Sequence, residues 1–255
     1  NAYFIDPLER LGFPPIPVRH ESGTVASADA YYRMTREVAV ATATYGAGFT
    51  NTLTSLAESS LAKMPLVLVV GSAPTAGPRP LDIDQTMTAA SMDVPTYTVG
   101  VQDAGTVTIQ ALADAIENSR PVVLAIPYDL APELIGERGE IIPDLPEPTR
   151  LPTPDHIEAA RIAHHLADAE RPLILAGRGA IGARSDLLAL AETLGADVVT
   201  TVPTQGYFSV PARRPTNFRD LGVCGGFSAP GALREIRRAD VVFVVGAGLN
   251  QFTMA

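Results

Sequence analysis

Six short apolar runs, rich in β-branched residues, recur along this chain: EVAVATAT (37–44), LVLVVG (66–71), PVVLAI (121–126), PLILAG (172–177), DVVTTV (197–202) and DVVFVVG (240–246). Runs that are apolar on both faces suit strands of a parallel sheet covered by helices on each side. Between them lie segments with helical spacing. A helix is expected from about Gly23 to Arg36, and a second opens near Thr50, which can cap it, with Leu53, Leu56, Ala57 and Leu61 on one face. Further helices are expected over about 107–118, 156–169, 185–194 and 231–238. The alternation predicts an α/β protein with two doubly wound parallel-sheet domains.

Prolines at 132, 143, 146, 148, 152 and 154 forbid both a helix and an inner strand there. This stretch is therefore read as a linker (131–154) between a first domain (1–130) and a second (155–255). A chain of 255 residues is long enough for two such cores. A short strand, Ile16 to Val18, is expected to lead into Arg19-His20-Glu21. The C-terminal VVFVVGAGLNQFTMA reads as a strand without a closing helix, so a fragment truncated at its C-terminus is expected.

With 46 % hydrophobic and 18 % charged residues, the chain has the composition of a folded protein. A net charge of −9 without a Lys/Arg run argues against nucleic acid or an anionic membrane surface as partner. The lone Cys224 excludes an intrachain disulfide, no Cys/His spacing suggests a metal, and the expected location is cytoplasmic. No run reaches the ~18–20 residues of a membrane span, and the start lacks the basic and apolar regions of a signal peptide. His164 and His165 point about 100° apart on a helix, poor geometry for a shared metal.

Chemistry concentrates between Pro17 and Pro74. Glu21 follows an expected strand at the carboxyl edge, where open α/β sheets bind ligands, and a second strand ends at Gly46-Ala47-Gly48. The spaced set Arg19-His20-Glu21, Thr44, Gly46, Gly48, Thr50, Asn51, Ala57-Glu58 and Pro65 resembles the pyrimidine-binding (PYR) domain of thiamine diphosphate (ThDP) enzymes of the acetolactate synthase type. The resemblance extends through Ser119-Arg120-Pro121 and IPYDL into the second domain, which resembles part of the family's central domain. It also implies that the first strand of the PYR domain would precede Asn1.

From the resemblance, Glu21 hydrogen-bonds the cofactor's pyrimidine ring and favours the imino tautomer that removes the thiazolium proton, with desolvation lifting the carboxyl pKa toward that of the ring nitrogen. Thr44, Gly46, Gly48 and Asn51 are the implied cofactor-binding residues, and Gln85 the implied neighbour of the reacting carbon. Asp84 stands where synthases carry an aromatic residue; a carboxylate there would repel a 2-oxo acid unless protonated or turned away. The paired histidines of the decarboxylase branch are absent, which leaves carboligation or C–C cleavage of a 2-oxo acid. The G-D-G and Asn signature that holds Mg²⁺ in the family's diphosphate-binding domain is also absent, so Mg²⁺ is expected only through a domain outside this chain. Because the family site lies between subunits, a homodimer or homotetramer is implied.

Two alternatives stand beside this. One is a non-catalytic or regulatory subunit with the same fold. The other is a dinucleotide-binding oxidoreductase, since Gly177-Arg178-Gly179-Ala180-Ile181-Gly182 matches G-x-G-x-x-G after a strand. The acidic residue expected after the next strand is missing, and the family's central domain has a similar turn. Some relatives hold FAD in that domain and others do not; FAD is not expected here.

Overall fold

A computed structural model describes residues 2–80, 82–133, 143–145, 153–211 and 214–254. The expected linker lies mostly outside these residues, and the chain divides at Arg150/Leu151 into two compact units. Among the described residues each carries one sheet of four strands, all parallel.

In the first unit, α1 (Ala2–Arg10) and α2 (Glu21–Thr35) precede β1 (Ala39–Ala43), followed by α3 (Ala47–Leu61), β2 (Leu66–Ser72), α4 (Gln85–Ala90), β3 (Thr96–Thr98), α5 (Ala104–Glu117) and β4 (Pro121–Pro127). The strand order is β1-β2-β4-β3. Alternation along β2 explains its unbroken apolar run. Leu66, Leu68 and Val70 meet Val25, Ala28, Phe49 and Leu56 of α2 and α3, while Val67 and Val69 meet Ala111 and Ala115 of α5.

Helices α1 and α4 and strand β3 lie outside the sequence expectations, and three further expectations shift. No strand forms at Ile16–Val18, because Pro14, Pro15 and Pro17 lack the N–H groups a ladder needs. Thr50 does not cap α3: the helix opens at Ala47 with Gly46 as its N-cap, and Thr50 lies in the first turns with its hydroxyl on Ala47 O. Helix α2 starts at Glu21 rather than Gly23, since His20 Nδ1 accepts the Ser22 N–H at 3.1 Å and caps it.

Asp114, nearly buried on α5, shows how that helix is tied to the sheet. Arg120 Nε and Nη2 donate to it at 2.8–3.2 Å, Asn118 Nδ2 at 2.6 Å and the Tyr97 hydroxyl at 2.9 Å. Burial alone would raise its pKa, but these donors outweigh burial and hold it below the ordinary value. A depressed folded-state pKa adds stability that is present above the unfolded value and lost as pH falls. Asp114→Asn is therefore expected to cost ~1.5 kcal/mol at neutral pH. In chemical denaturation at a series of pH values, the gap from wild type should close as pH drops through and below the ordinary carboxylate range.

The second unit comprises α6 (His156–Ala167), β5 (Pro172–Ala176), α7 (Arg184–Leu194), β6 (Asp197–Thr200), β7 (Asp220–Val223), α8 (Pro230–Ile236), β8 (Val241–Val245) and α9 (Gln251–Met254). Its strand order is β7-β6-β5-β8. Ile174, Ala176 and Val198 face Leu187 and Ala191 of α7, and Leu173, Leu175 and Val199 face the opposite layer with Ile236 of α8. The last strand is followed by the short helix α9, where no closing helix was expected. It is seated by Asn250 Oδ1, which accepts the Phe252 and Thr253 N–H groups at 3.0 Å.

Candidate cofactor-binding site

The carboxyl edge of the first sheet assembles from α2 and α3. Small residues let these helices approach closely. Ser22 Oγ lies 2.6 Å from Ser55 Oγ, Ser55 Oγ donates to Ser22 O at 2.9 Å, and Ser59 Oγ donates to Asp29 at 2.9 Å, an acid also gripped by Arg33. At that spacing, Asn51 Nδ2 donates to Glu21 Oε2 at 3.0 Å. Asn51 thus lies beside Glu21 and orients its carboxylate.

Gly48 completes the corner. A Cβ there would sit 2.1 Å from Thr44 Oγ1, so glycine keeps Thr44 in place, with Glu21 Oε1 3.7 Å away at ordinary contact distance. Gly46 has φ +71°, and a Cβ on it would meet nothing within 4 Å, which leaves its outer side open to a close ligand. Its N–H donates to Gln85 Oε1 at 2.7 Å, and Gln85 Nε2 donates to Gly71 O at 2.8 Å. Gln85 is buried, and its amide clasps the ends of β1 and β2. Both of its polar atoms are committed within the chain.

Asp84 is exposed and engaged at the start of α4. Its Oδ1 accepts the Met87 N–H at 2.8 Å and caps α4.

The electrostatics of Glu21 differ from expectation. Hydrogen bonding from its own backbone N–H, then from Asn51, holds its pKa below the ordinary glutamate value, against a weaker effect of burial. The carboxylate is only partly covered, so hydrogen bonding wins over desolvation within this chain. Asn51→Ala is accordingly expected to raise the Glu21 pKa, read by NMR titration of ¹³C-labelled glutamate. An unchanged value would mean that Asn51 does not hold the carboxylate.

In the second unit the glycine-rich turn has a packing explanation. Gly177 N–H donates to Val245 O at 2.8 Å and Gly179 N–H to Gly246 O at 2.9 Å. A Cβ on Gly177 would lie 2.3 Å from Gly246 O, so the turn after β5 is pressed backbone to backbone on the turn after β8. These two amides, which a dinucleotide pyrophosphate would need, are used inside the protein. Tyr207 adds to the closure by donating its hydroxyl to Ala180 O at 2.6 Å.

Cys224 is half-buried, and burial pushes its thiol pKa up. His164 and His165 are exposed. Among the described residues no group of three or more His, Cys, Asp or Glu could hold a metal ion, and no helix is long and apolar enough to cross a membrane.

Comparison with known proteins agrees with this geometry. Residues 1–94 match the model of the thiamine pyrophosphate enzyme N-terminal TPP binding domain, and residues 159–255 match that of the thiamine pyrophosphate enzyme central domain. The chain is 30 % identical over 241 residues to an acetolactate synthase large subunit of Corynebacterium glutamicum, covering 90 % of this chain and 37 % of that protein. It is also 30 % identical over 237 residues to a pyruvate oxidase of Lactiplantibacillus plantarum, covering 91 % of this chain and 38 % of the relative. The chain therefore spans well under half the length of these relatives. A solved structure described as a putative thiamin diphosphate-dependent enzyme from Mycobacterium smegmatis superposes with TM-score 0.69 at 22 % identity, over 99 % of this chain and 53 % of that one, and shows the shared fold. The matches to the N-terminal and central domain models place this chain in the thiamine pyrophosphate enzyme family, as its N-terminal and central domains.

Proposed function

We propose that the protein carrying this chain is a ThDP-dependent enzyme acting on a 2-oxo acid, by acetolactate synthase-like carboligation or by C–C bond cleavage, and that Glu21 activates the cofactor. The observation behind this reading is the Glu21 carboxylate at the carboxyl edge of the first sheet, with Oε2 held by Asn51 and Oε1 beside Gly48, near the turn that carries Gly46. These residues suit the pyrimidine end of the cofactor: a carboxylate can share a proton with a ring nitrogen, and Gly46 admits a flat ring at close range. The cofactor supplies a carbon nucleophile for addition to the 2-oxo acid carbonyl.

In this reading Glu21 binds the ring nitrogen and moves a proton at that atom, Asn51 keeps the carboxylate facing it, and Thr44 and Gly48 set the floor. Gln85 acts at one remove, fixing Gly46 through its buried amide clasp. Cofactor binding would itself exclude water from Glu21 and supply the desolvation that this chain alone does not. By the family resemblance, Mg²⁺ and the diphosphate would be held by a diphosphate-binding domain outside this chain, in a homodimer or homotetramer whose second subunit closes the site. The single half-buried thiol suits a cytoplasmic location.

The test is ThDP-dependent and Mg²⁺-dependent consumption of pyruvate and other 2-oxo acids by the complete gene product. Turnover that requires ThDP is the expected result. Absence of both ThDP binding and turnover would overturn this reading and leave a non-catalytic partner or regulatory subunit with the same fold standing.

A further inference from the structure

The loop between β2 and α4 holds a cluster outside the proposed cofactor corner. Tyr45 follows β1 and Tyr128 follows β4, and the Arg79 guanidinium lies over both rings, 5.9 Å and 5.3 Å from their centroids. Asp82 fixes it from behind. Its carboxylate accepts Nε at 3.1–3.2 Å, Nη2 at 3.0 Å and the Arg79 backbone N–H at 2.7 Å.

The pair is asymmetric: the Asp82 side chain is 4 % exposed and that of Arg79 is 50 % exposed. An ordinary surface pair leaves both partners in water. Here the acid is covered, with its pKa drawn down to about 2 first by the Arg79 side chain and then by its backbone N–H, while the cation faces out. Nη1 takes no part in the bonds to Asp82. The buried Tyr45 hydroxyl has no hydrogen-bond partner of proper geometry among the described residues, although Asp82 and Arg79 lie near enough to influence it.

The other carboxylates bordering this loop are committed. Asp84 caps α4, and Asp129 accepts the Thr75 N–H at 2.9 Å and the Thr75 hydroxyl. What remains at the carboxyl ends of β1, β2 and β4, the edge that also carries Gly46, is an immobilised guanidinium presenting unused donors. A planar fork held by a carboxylate and two aromatic faces is pre-organised for an anion, since little side-chain entropy remains to be lost on binding.

We propose that Arg79 binds the carboxylate of the 2-oxo acid substrate through Nη1, with Asp82, Tyr45 and Tyr128 holding the guanidinium plane. This rests on the ThDP-dependent reading above for the identity of the substrate, though not for the affinity of the subsite for a carboxylate.

The experiment is arginine labelling of the complete gene product with phenylglyoxal, mapped by mass spectrometry, with oxamate as an unreactive anionic probe and pyruvamide as its neutral counterpart. Oxamate, and not pyruvamide, should protect Arg79. In parallel, Arg79→Gln should raise KM for pyruvate by about ten- to a hundredfold, leaving ThDP affinity unchanged, and Arg79→Lys should recover only part of the loss because it lacks the fork. Equal labelling with and without oxamate overturns the proposal. So does an Arg79→Gln variant that loses thermal stability and ThDP affinity while KM stays put, because that is the signature of a loop staple. If oxamate protects Arg79 in a protein that turns over no 2-oxo acid, the carboxylate subsite stands and the proposed reaction falls.

Discussion

Replacing Glu21 by Gln is expected to lower ThDP-dependent turnover of the complete gene product by about 10²-fold or more, the scale of lost acid–base catalysis. Gln keeps the volume and can still accept the Asn51 N–H through its carbonyl oxygen, so the corner should remain folded. What it cannot do is share a proton as a carboxylate does. The loss should therefore fall on kcat, with an unchanged melting temperature and a smaller change in ThDP affinity. A drop of less than about tenfold would remove Glu21 from the chemistry and leave it a helix-start acid bound to Asn51.

The largest expected effect on stability lies in the second unit, at Gly246. Its φ of +59° is a conformation that costs an ordinary L-residue ~1–2 kcal/mol. A Cβ there would also stand 2.3 Å from both Ala180 N and Gly179 C, which are backbone atoms that cannot rotate away. Forcing the β5 and β8 turns apart would break the bonds from Gly177 to Val245 O and from Gly179 to Gly246 O. Gly246→Ala should thus lose ~1–3 kcal/mol from overpacking in addition to the backbone strain. For a unit of this size that lowers the melting temperature by on the order of 10 °C or more. Hydrogen exchange should report the loss in β5 and β8; a variant that melts with the wild type would show that the two turns are not in firm contact.

The same contact explains why the dinucleotide motif was ambiguous in the sequence. G-x-G-x-x-G records that backbone must come close to something after a strand, and here the nearby backbone is that of Gly246, 67 positions beyond Gly179. Spacing alone cannot tell a phosphate from a neighbouring strand end.

Local pattern did determine much of this protein. The apolar runs became seven-residue strands such as β2 and β4 because both of their faces are covered, and the spaced Glu21, Thr44, Gly46, Gly48 and Asn51 fell at one sheet edge. Besides the nine-residue helix α1, the elements missed were short ones with weak local signals. Strand β3 has only three residues, β7 carries an irregular register beside β6, and α4 is a six-residue helix set by its Asp84 cap.

Tertiary structure alone decided which groups meet. Asn51 reaches Glu21 across 30 positions and Gln85 reaches Gly46 across 39, while Arg79 stacks on tyrosines from two different strand ends. Each partnership depends on the order β1-β2-β4-β3 and on how closely small residues let α2 approach α3. Periodicity encodes which face of an element is buried, because burial is a property of one segment against any apolar neighbour. It carries no record of which polar atom will lie opposite another, because hydrogen bonds are short and directional and depend on the placement of two distant segments to within an ångström.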